Sequence, residues 1–228
     1  MTVSRLSIQG SPNVGIYALA TNHYVLAPPK TSASKARVLE EAFKVPIIKT
    51  SLAGTILLGV YAAANSNGIV LPALVTDEDV KTASAVAGNV VQVESRRNAF
   101  GNLVLANDHG ALVAEPLSRE REAMRGIKDA LGVEIVVGRI AGLPYVGSLA
   151  SVNNRAALVH PERSDEEAEL IADVLKVRVD SGTVNRGSPF VGAGMLSNDL
   201  GVVVGNLTAG PELMIISNLF GERRLQLR

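Results

Sequence analysis

Gly59-Val60-Tyr61-Ala62-Ala63-Ala64-Asn65, followed three positions later by Gly68 and the apolar run Ile69-Val70-Leu71-Pro72, is one of five copies of a pattern along the 228-residue chain. The other copies are Gly15-Ile-Tyr-Ala-Leu-Ala-Thr21, Gly101-Asn-Leu-Val-Leu-Ala-Asn107, Gly147-Ser-Leu-Ala-Ser-Val-Asn153 and Gly192-Ala-Gly-Met-Leu-Ser-Asn198. Their leading glycines stand 44, 42, 46 and 45 residues apart. Three positions after the closing Asn or Thr come Tyr24, Gly68, Gly110, Ala156 and Gly201. An apolar run follows in every copy: Val25-Leu26, Ile69–Leu71, Ala111–Val113, Ala157–Val159 and Val202–Val204. Pro28, Pro72, Pro116 and Pro161 stop four of the runs. A fixed period of this length marks a repeat architecture, in which one supersecondary unit is copied and stacked.

The unit translates into structure piece by piece. The Gly-to-Asn stretch predicts a strand, and Asn-x-x-Gly a tight turn whose residues tolerate positive φ. The apolar run is the returning strand, ended by Pro. A helix comes next. Thr76-Asp-Glu-Asp79 and Ser164-Asp-Glu-Glu167 read as N-caps with acidic first turns. Behind them run apolar stripes: Val38, Leu39, Ala42, Phe43; Met124, Ile127, Ala130, Leu131; and Leu170, Ile171, Val174, Leu175. Third strands are expected at Val45–Lys49, Val90–Glu94, Val133–Val137 and Val177–Asp180. The fifth copy has a hairpin and a helix, Pro211–Phe220, but no third strand. The segment 2–8, apolar at Val3, Leu6 and Ile8, precedes the first glycine and is the strand that would complete it, leaving no sheet edge open. The fold class is therefore α/β: one domain over 1–228, a five-fold pseudosymmetric α-β propeller of strand-strand-helix-strand repeats. Their bounds are roughly 11–52, 53–97, 98–140, 141–185 and 186–228, closed by the N-terminal strand. Ala62–Ala64, Ala150-Ser151 and Ala193-Gly194 supply small residues on the first strands, where the blades converge on an axis.

Composition narrows the chemistry. Apolar residues make up 47% of the chain and mean hydropathy is +0.23, so a large core is available, built from aliphatics because aromatics are 4% and Trp is absent. Charge is balanced, 22 basic against 22 acidic residues. A protein living on nucleic-acid phosphate normally shows a basic excess, so a nucleoprotein partner would be touched mainly on its protein parts or through a small local patch. The absence of Cys rules out disulfides, thiolate metal sites and cysteine nucleophiles. Residues 1–30 carry no signal-peptide pattern and no apolar run approaches a membrane span, which predicts a soluble cytoplasmic protein.

No catalytic, metal or cofactor set emerges. His23, His109 and His160 are the only histidines; each falls at or near the hairpin of its repeat and reads as a turn or surface residue, without metal-ligand spacing. Gly182-Thr-Val-Asn-Arg-Gly187 is followed by Ser188 rather than the lysine a phosphate loop requires, and it is expected to lead into another strand. No G-x-S-x-G elbow is present, and the carboxylates concentrate in helix first turns as solvated dipole partners. A five-fold ring of this module is also the architecture of guanidine-modifying enzymes, the pentein fold, but that chemistry needs a cysteine. The competing reading is a pentein-fold protein acting on a small molecule, without catalysis or through a non-cysteine mechanism at a channel mouth.

Against this background, Ser51-Leu-Ala-Gly54 through Gly59 to Asn65-Ser-Asn-Gly-Ile-Val-Leu-Pro72 resembles the second-repeat signature of the translation initiation factor 6 family. Ala99-Phe-Gly-Asn102 with Asn107-Asp108 resembles its third. Gly182-Thr-Val-Asn-Arg-Gly-Ser188 with Ala193-Gly-Met195 and Asn198-Asp199 resembles its fifth. Asn13–Ile16 with Leu19–Asn22 matches the first less sharply. The resemblance spans the whole chain. It implies a ribosome anti-association factor, a pentein ring docked on the intersubunit face of the large ribosomal subunit near the sarcin–ricin loop. Contact would be largely with ribosomal proteins and to a minor extent with ribosomal RNA, sterically blocking the small subunit. It implies a monomer, release by an elongation-factor-like GTPase with an adaptor protein, and no membrane contact. A second role in subunit maturation stays open. The short tail after Phe220 is similar to archaeal members.

The resemblance also implies a docking surface around the residues just after each repeat glycine: Ile16, Val60, Asn102, Ser148 with Leu149, and Ala193. Asn102 is the foremost candidate, and Val60 stands where eukaryotic members carry a basic residue. Asn185 and Arg186 either order the approach to the fifth repeat or join the docking surface. Asn65, Asn107, Asn153 and Asn198 read as turn or strand-end hydrogen-bonders. The tail Glu222–Arg228, with three Arg against one Glu, reads as a disordered end or a small basic contact to ribosomal RNA.

Overall fold

A computed structural model of the chain describes residues 1–221; the two readings of the tail Glu222–Arg228 lie outside them. Strand β1 (Thr2–Leu6) comes first, and the repeats follow. The first holds α1 (Val14–Tyr17), β2 (Leu19–Ala20), β3 (Val25–Ala27), α2 (Ala33–Phe43) and β4 (Ile47–Lys49). The second holds α3 (Leu58–Tyr61), β5 (Ala63–Ala64), β6 (Gly68–Pro72), α4 (Asp77–Ser84) and β7 (Asn89–Val93). The third holds α5 (Phe100–Leu103), β8 (Val104–Ala106), β9 (Gly110–Ala114), a 3-10 turn at Glu115–Leu117, α6 (Arg121–Leu131) and β10 (Glu134–Gly138). The fourth holds α7 (Val146–Leu149), β11 (Ala150–Val152), β12 (Ala156–Val159), α8 (Asp165–Leu175) and β13 (Arg178–Ser181). The fifth holds α9 (Val191–Gly194), β14 (Met195–Ser197), β15 (Gly201–Gly205) and α10 (Gly210–Phe220).

These strands form five three-stranded sheets. In each, an antiparallel hairpin is joined by a third strand parallel to its second, as in β2–β3 with β4. The fifth sheet takes β1 as that third strand, parallel to β15 in the register Thr2↔Gly201 to Leu6↔Gly205. The N-terminal strand thus fills the place the sequence leaves empty, over 2–6 rather than 2–8, because Ile8 turns away to bridge Ser11. The helices α2, α6, α8 and α10 each pack on the sheet of the preceding repeat, α2 against β1 and β15 and α10 against β12 and β13. Of the apolar stripes, Leu39, Ala42, Phe43, Ile127, Ala130, Leu131, Ile171 and Leu175 are buried, and Val38, Met124, Leu170 and Val174 are partly buried. Thr76 and Ser164 cap their helices in full capping boxes with Asp79 and Glu167.

The Gly-to-Asn stretch differs from expectation. Its first half is one turn of helix in every repeat and only its end is strand, so Ala193-Gly194 lie in α9 rather than on a strand. The cause is crowding at the axis. A Cβ on Gly59 would overlap the carbonyl oxygen of Gly15, one on Gly101 that of Gly59, one on Gly147 that of Gly101, one on Gly192 that of Gly147, and one on Gly15 that of Gly192. The five turns therefore meet backbone to backbone in cyclic order, last against first, and form a glycine collar. The same geometry corrects the reading of Gly182–Ser188, which leads into the helical turn α9; its lack of the phosphate-loop lysine stands.

The Asn-x-x-Gly turns also work differently from the expected positive φ, which none of their residues adopts. Asn65 Oδ1 accepts from the N–H groups of Asn67 and Gly68 at 3.0 and 3.1 Å, closing the turn without a left-handed residue. Glycine follows because a Cβ on Gly68, Gly110 or Gly201 would strike a carbonyl at the end of a helix, Ala130, Val174 or Ala42. The amide's other end links repeats, so that Asn65, Asn107, Asn153 and Asn198, with Thr21 in the first repeat, form an asparagine belt. Asn65 Nδ2 donates to Asn107 O and Leu131 O, Asn107 Nδ2 to Asn153 O and Leu175 O, and Asn198 Nδ2 to Thr21 O and Phe43 O. Asn153 Nδ2 continues the series to Asn198 O. Three of these amides use all four hydrogen-bonding sites.

Thr21 breaks the pattern: its hydroxyl closes its own turn, accepting from His23 N and Tyr24 N and donating to Tyr24 O. The helix facing it, α4, has 8 residues where α2, α6, α8 and α10 have 11. The buried ring of Tyr24 joins Val80, Ala83 and Ala87 of this shorter segment in one apolar cluster. Its hydroxyl is buried without a partner, and burial pushes the phenol well above its ordinary range.

Candidate functional site

The chain direction within a repeat defines two ends. Helices begin, and third strands finish, beside the collar; helices finish beside the asparagine belt. Each end presents a different chemistry.

At the belt end, the residue after each belt position faces its counterparts: Asn22, Ser66, Asp108, Asn154 and Asp199. Asp108 accepts from Ser66 N (2.8 Å), Ser66 Oγ (2.7 Å), Asn154 Nδ2 (2.6 Å) and Asn22 Nδ2 (3.2 Å). Asp199 accepts from both amides too, at 2.9 Å each, and from Asn154 N at 2.9 Å. Asp108 N and Asp199 N in turn donate to Asn154 Oδ1 and Asn22 Oδ1. Burial alone would raise the Asp108 carboxyl, but the bonds from Asn154, Ser66 and Asn22 hold it below its ordinary value. This end is a hydrogen-bonded plug whose donors and acceptors are spent on one another.

The plug should show in acid. A carboxyl whose folded pKa is depressed contributes stability that is complete above its unfolded value of 3.8 and fades as pH falls through the lower folded value. Asp108→Ala should therefore melt well below the wild type at neutral pH. The gap should close on acidification below the ordinary carboxylate range. Differential scanning fluorimetry across that range checks it, and a gap independent of pH would refute the assignment.

Between the two ends, a cavity of about 110 Å³ is lined by the collar glycines with Ala18, Ala62, Val104 and Ser151 among others. Ordinary small-molecule sites run from about 300 to 1,000 Å³ and hold a few convergent polar groups. This one is far smaller and carries no charged side chain. Among the described residues no histidine bonds to a carboxylate, and no cluster of His, Asp and Glu has the makings of a metal site. His23 and His109 are exposed turn residues as read, but His160 is buried, 7% exposed, with Nδ1 accepting from Glu162 N.

The collar end is built differently. A carboxylate at or near the start of a helix reaches back to the loop that precedes the same repeat's collar turn. Asp79 accepts from Ala53 N, Glu167 from Ala141 N and Gly142 N, and Glu120 from Ser95 Oγ and Arg96 N. Glu212 accepts from Thr183 Oγ1 and from the N–H groups of Arg186, Gly187 and Ala209. Burial would raise Glu212, yet those bonds hold it below the ordinary range. The loops need the fixing because Ala53, Ala141, Asn185 and Arg186 all sit at positive φ. The acidic first turns are thus latches as well as dipole partners, a role the capping pattern alone did not disclose.

Of the residues expected to dock, Ile16, Val60, Asn102, Ser148 and Ala193 occupy equivalent places on the collar turns, each partly exposed. The Asn102 side-chain amide has no hydrogen-bond partner among the described residues, whereas the belt asparagines Asn65, Asn107 and Asn198 are fully engaged and Asn153 makes three bonds. Leu149 is 0% exposed and belongs to the core, so its side chain offers nothing to a partner. Asn185 is a seam residue: its Nδ2 donates to Pro12 O at 3.0 Å, tying the fifth repeat to the first. Arg186 is exposed beside it.

Two further residues at this end escape motif reading. Tyr145 and Phe190 immediately precede α7 and α9 and are 49% and 46% exposed. Their counterparts in the first three repeats are Asn13, Leu57 and Ala99. Since Gly147 and Gly192 abut, these two aromatic residues belong to adjacent repeats of the ring, with Leu143, 40% exposed, nearby in sequence. In a chain with 4% aromatics, that clustering is the signal sequence inspection could have used.

Comparison with known proteins supplies the family. A model described as eIF-6 family matches residues 3–219. Over 227 residues the chain is 44% identical to translation initiation factor 6 of Pyrococcus horikoshii, covering 97% of this chain and 99% of that one. It is 36% identical to the factor of Staphylothermus marinus over 220 residues, 95% and 96% of the two chains. It is 35% identical to that of Methanocaldococcus jannaschii over 226 residues, 96% and 98%.

Proposed function

The chain belongs to the eIF-6 family, and we propose that it is a cytoplasmic translation factor that binds the large ribosomal subunit and bars the small subunit from joining. The collar end is the docking face. The observation that carries this reading is the exposed aromatic pair Tyr145 and Phe190 on that end, beside collar-turn residues with unspent polar groups. Large aromatics half in water are what protein interfaces draw on, since they bury much area at little entropic cost. The belt end presents the single exposed Leu200 rather than an aromatic pair among the described residues, and the polar groups of its central ring are spent on one another. The reading treats the whole chain as one domain, a pentein ring acting as a monomer. Its partners are ribosomal proteins of the intersubunit face, with a minor RNA contact; its release is left to other factors.

It is a steric and non-catalytic role. The small axial cavity and the absence of any histidine–carboxylate contact among the described residues support it over action on a small molecule. Sedimentation with purified subunits tests it: the protein should travel with large subunits and leave small subunits alone. Travel with small subunits only would remove the proposal. Within the docking face, Asn102→Ala should weaken large-subunit binding by more than about 1 kcal/mol, the cost of truncating a residue inside an interface core. An unchanged affinity with an unchanged melting temperature would place Asn102 outside the contact.

A further inference from the structure

Charge at the collar end is segregated by repeat. The helix starts of the second and fourth repeats are acidic, with Asp77, Glu78 and Asp79 and with Asp165, Glu166 and Glu167. The third repeat inverts this. Its latch carboxylate, Glu120, is flanked by Arg119 and Arg121, and the loop it holds brings Arg96 and Arg97 to the same point. Arg97 pairs with Glu120 at 2.6 Å. Arg96, Arg119 and Arg121 are exposed and have no side-chain partner among the described residues, although Glu94 and Glu122 lie close in sequence. Most other described arginines are engaged: Arg37, Arg125, Arg139 and Arg163 with carboxylates, Arg155 and Arg178 with backbone carbonyls.

Two features set this cluster apart from a solvated surface. Arg121 is the first residue of α6, where the helix dipole disfavours a cation and where α4 and α8 both place Asp. Folding therefore gives no reason for it. The three arginines also share one anchored carboxylate, on the end that carries Tyr145 and Phe190: Arg119 and Arg121 flank Glu120 in sequence, and the backbone N–H of Arg96 donates to it.

We infer that Arg96, Arg119 and Arg121 form a phosphate-binding patch that engages the backbone of structured RNA when the collar end docks. This deepens the proposed function and rests on it. The planar guanidinium matches phosphate oxygens two at a time. Folded RNA is recognised largely through the shape of its backbone, which suits a compact patch without an aromatic stacking platform. A neutral chain with one such local patch binds a nucleoprotein chiefly by protein contacts and orients itself through a few phosphates.

The test compares the wild type with Arg96→Gln/Arg119→Gln/Arg121→Gln in large-subunit binding across a salt series. Each phosphate contact contributes about 0.7 to 0.9 to the slope of log affinity against log salt, so the triple variant should lose about two units of slope. At moderate salt its affinity should fall about tenfold or more, with an unchanged melting temperature. A photocrosslinking amino acid in place of Ser118, exposed within the patch, should label ribosomal RNA. A slope and affinity equal to wild type overturn the inference, and so does a crosslink confined to an acidic ribosomal protein. Titration of both proteins with a short RNA hairpin at low salt separates this inference from the reading beneath it. Hairpin binding lost in the triple variant while the wild type ignores large subunits would sink the proposed function and keep the patch. Hairpin binding equal in the two proteins would sink the patch.

Discussion

Gly101→Ala is expected to cost about 3 kcal/mol of stability or more, at or beyond the usual range for overpacking a rigid site. For a chain of this length that is a fall of about 6–12 °C in melting temperature, and little protein would be recovered folded. The added methyl has nowhere to go. Its neighbours would be the backbone carbonyls of Gly59 and Ala62, which cannot rotate aside as a side chain does. Relief requires the second and third repeats to separate, and because the collar is cyclic the strain passes to the other contacts. Gly142→Ala is the matched control. It sits at φ +69 with nothing within 4 Å, so alanine there meets only its own left-handed strain, about 1–2 kcal/mol. If Gly101→Ala melted within a degree or two of the wild type, the collar would not be the tight point described here.

Tyr145→Ala and Phe190→Ala should each weaken binding to the large subunit by about 2 kcal/mol or more, roughly thirtyfold, which is the scale of aromatic residues at the centre of an interface. Both rings are about half exposed in the free chain, so stability should move by no more than about 0.5 kcal/mol. Separating the two effects is what makes the experiment informative. Leu200→Ala is the control for apolar exposure as such: Leu200 is 51% exposed but lies in the Asn198–Gly201 turn at the opposite, belt end, and its loss should leave binding unchanged. Full binding by Tyr145→Ala and Phe190→Ala would assign the aromatic pair to another purpose and move the docking face elsewhere.

Much of this architecture was legible in the repeat itself. Five glycines at near-constant spacing announced five units, and the orphan segment at the N-terminus announced its pairing with β15, because a missing strand and a spare strand leave one solution. The capping sequences at Thr76 and Ser164 fixed two helix starts. Other features were hidden because they depend on what lies across the axis. The leading glycines looked like the start of a strand, since nothing local shows that a neighbour's carbonyl occupies the place of their Cβ. Likewise the asparagines suggested left-handed turns, whereas their conformation is set by a side-chain oxygen closing the turn and an amide reaching into the next repeat. Tyr24 and the shortened α4 both depart from the pattern, and only the folded chain packs them into one cluster.

The candidate site was legible in part for the same reason. The positions after the collar glycines were correctly grouped as equivalent, because repeat symmetry places them without any knowledge of packing. Leu149, chosen with them, is one residue further along its helical turn and points into the core. Tyr145 and Phe190 belong to no motif and lie outside the seven-residue pattern, so periodicity passed over them. Asn185 looked equally suited to docking and to structure until its bond to Pro12 O placed it on the seam between the fifth repeat and the first.

The proposed function requires that a rigid ring cover a surface that another particle must reach. Light scattering during subunit joining examines it directly, with the protein added to large subunits before small subunits are mixed in. Scattering from joined particles should fall with protein concentration and saturate near one molecule per large subunit, and Tyr145→Ala/Phe190→Ala should need far more protein for the same effect. Undiminished joining, with the protein demonstrably bound to every large subunit, would contradict it.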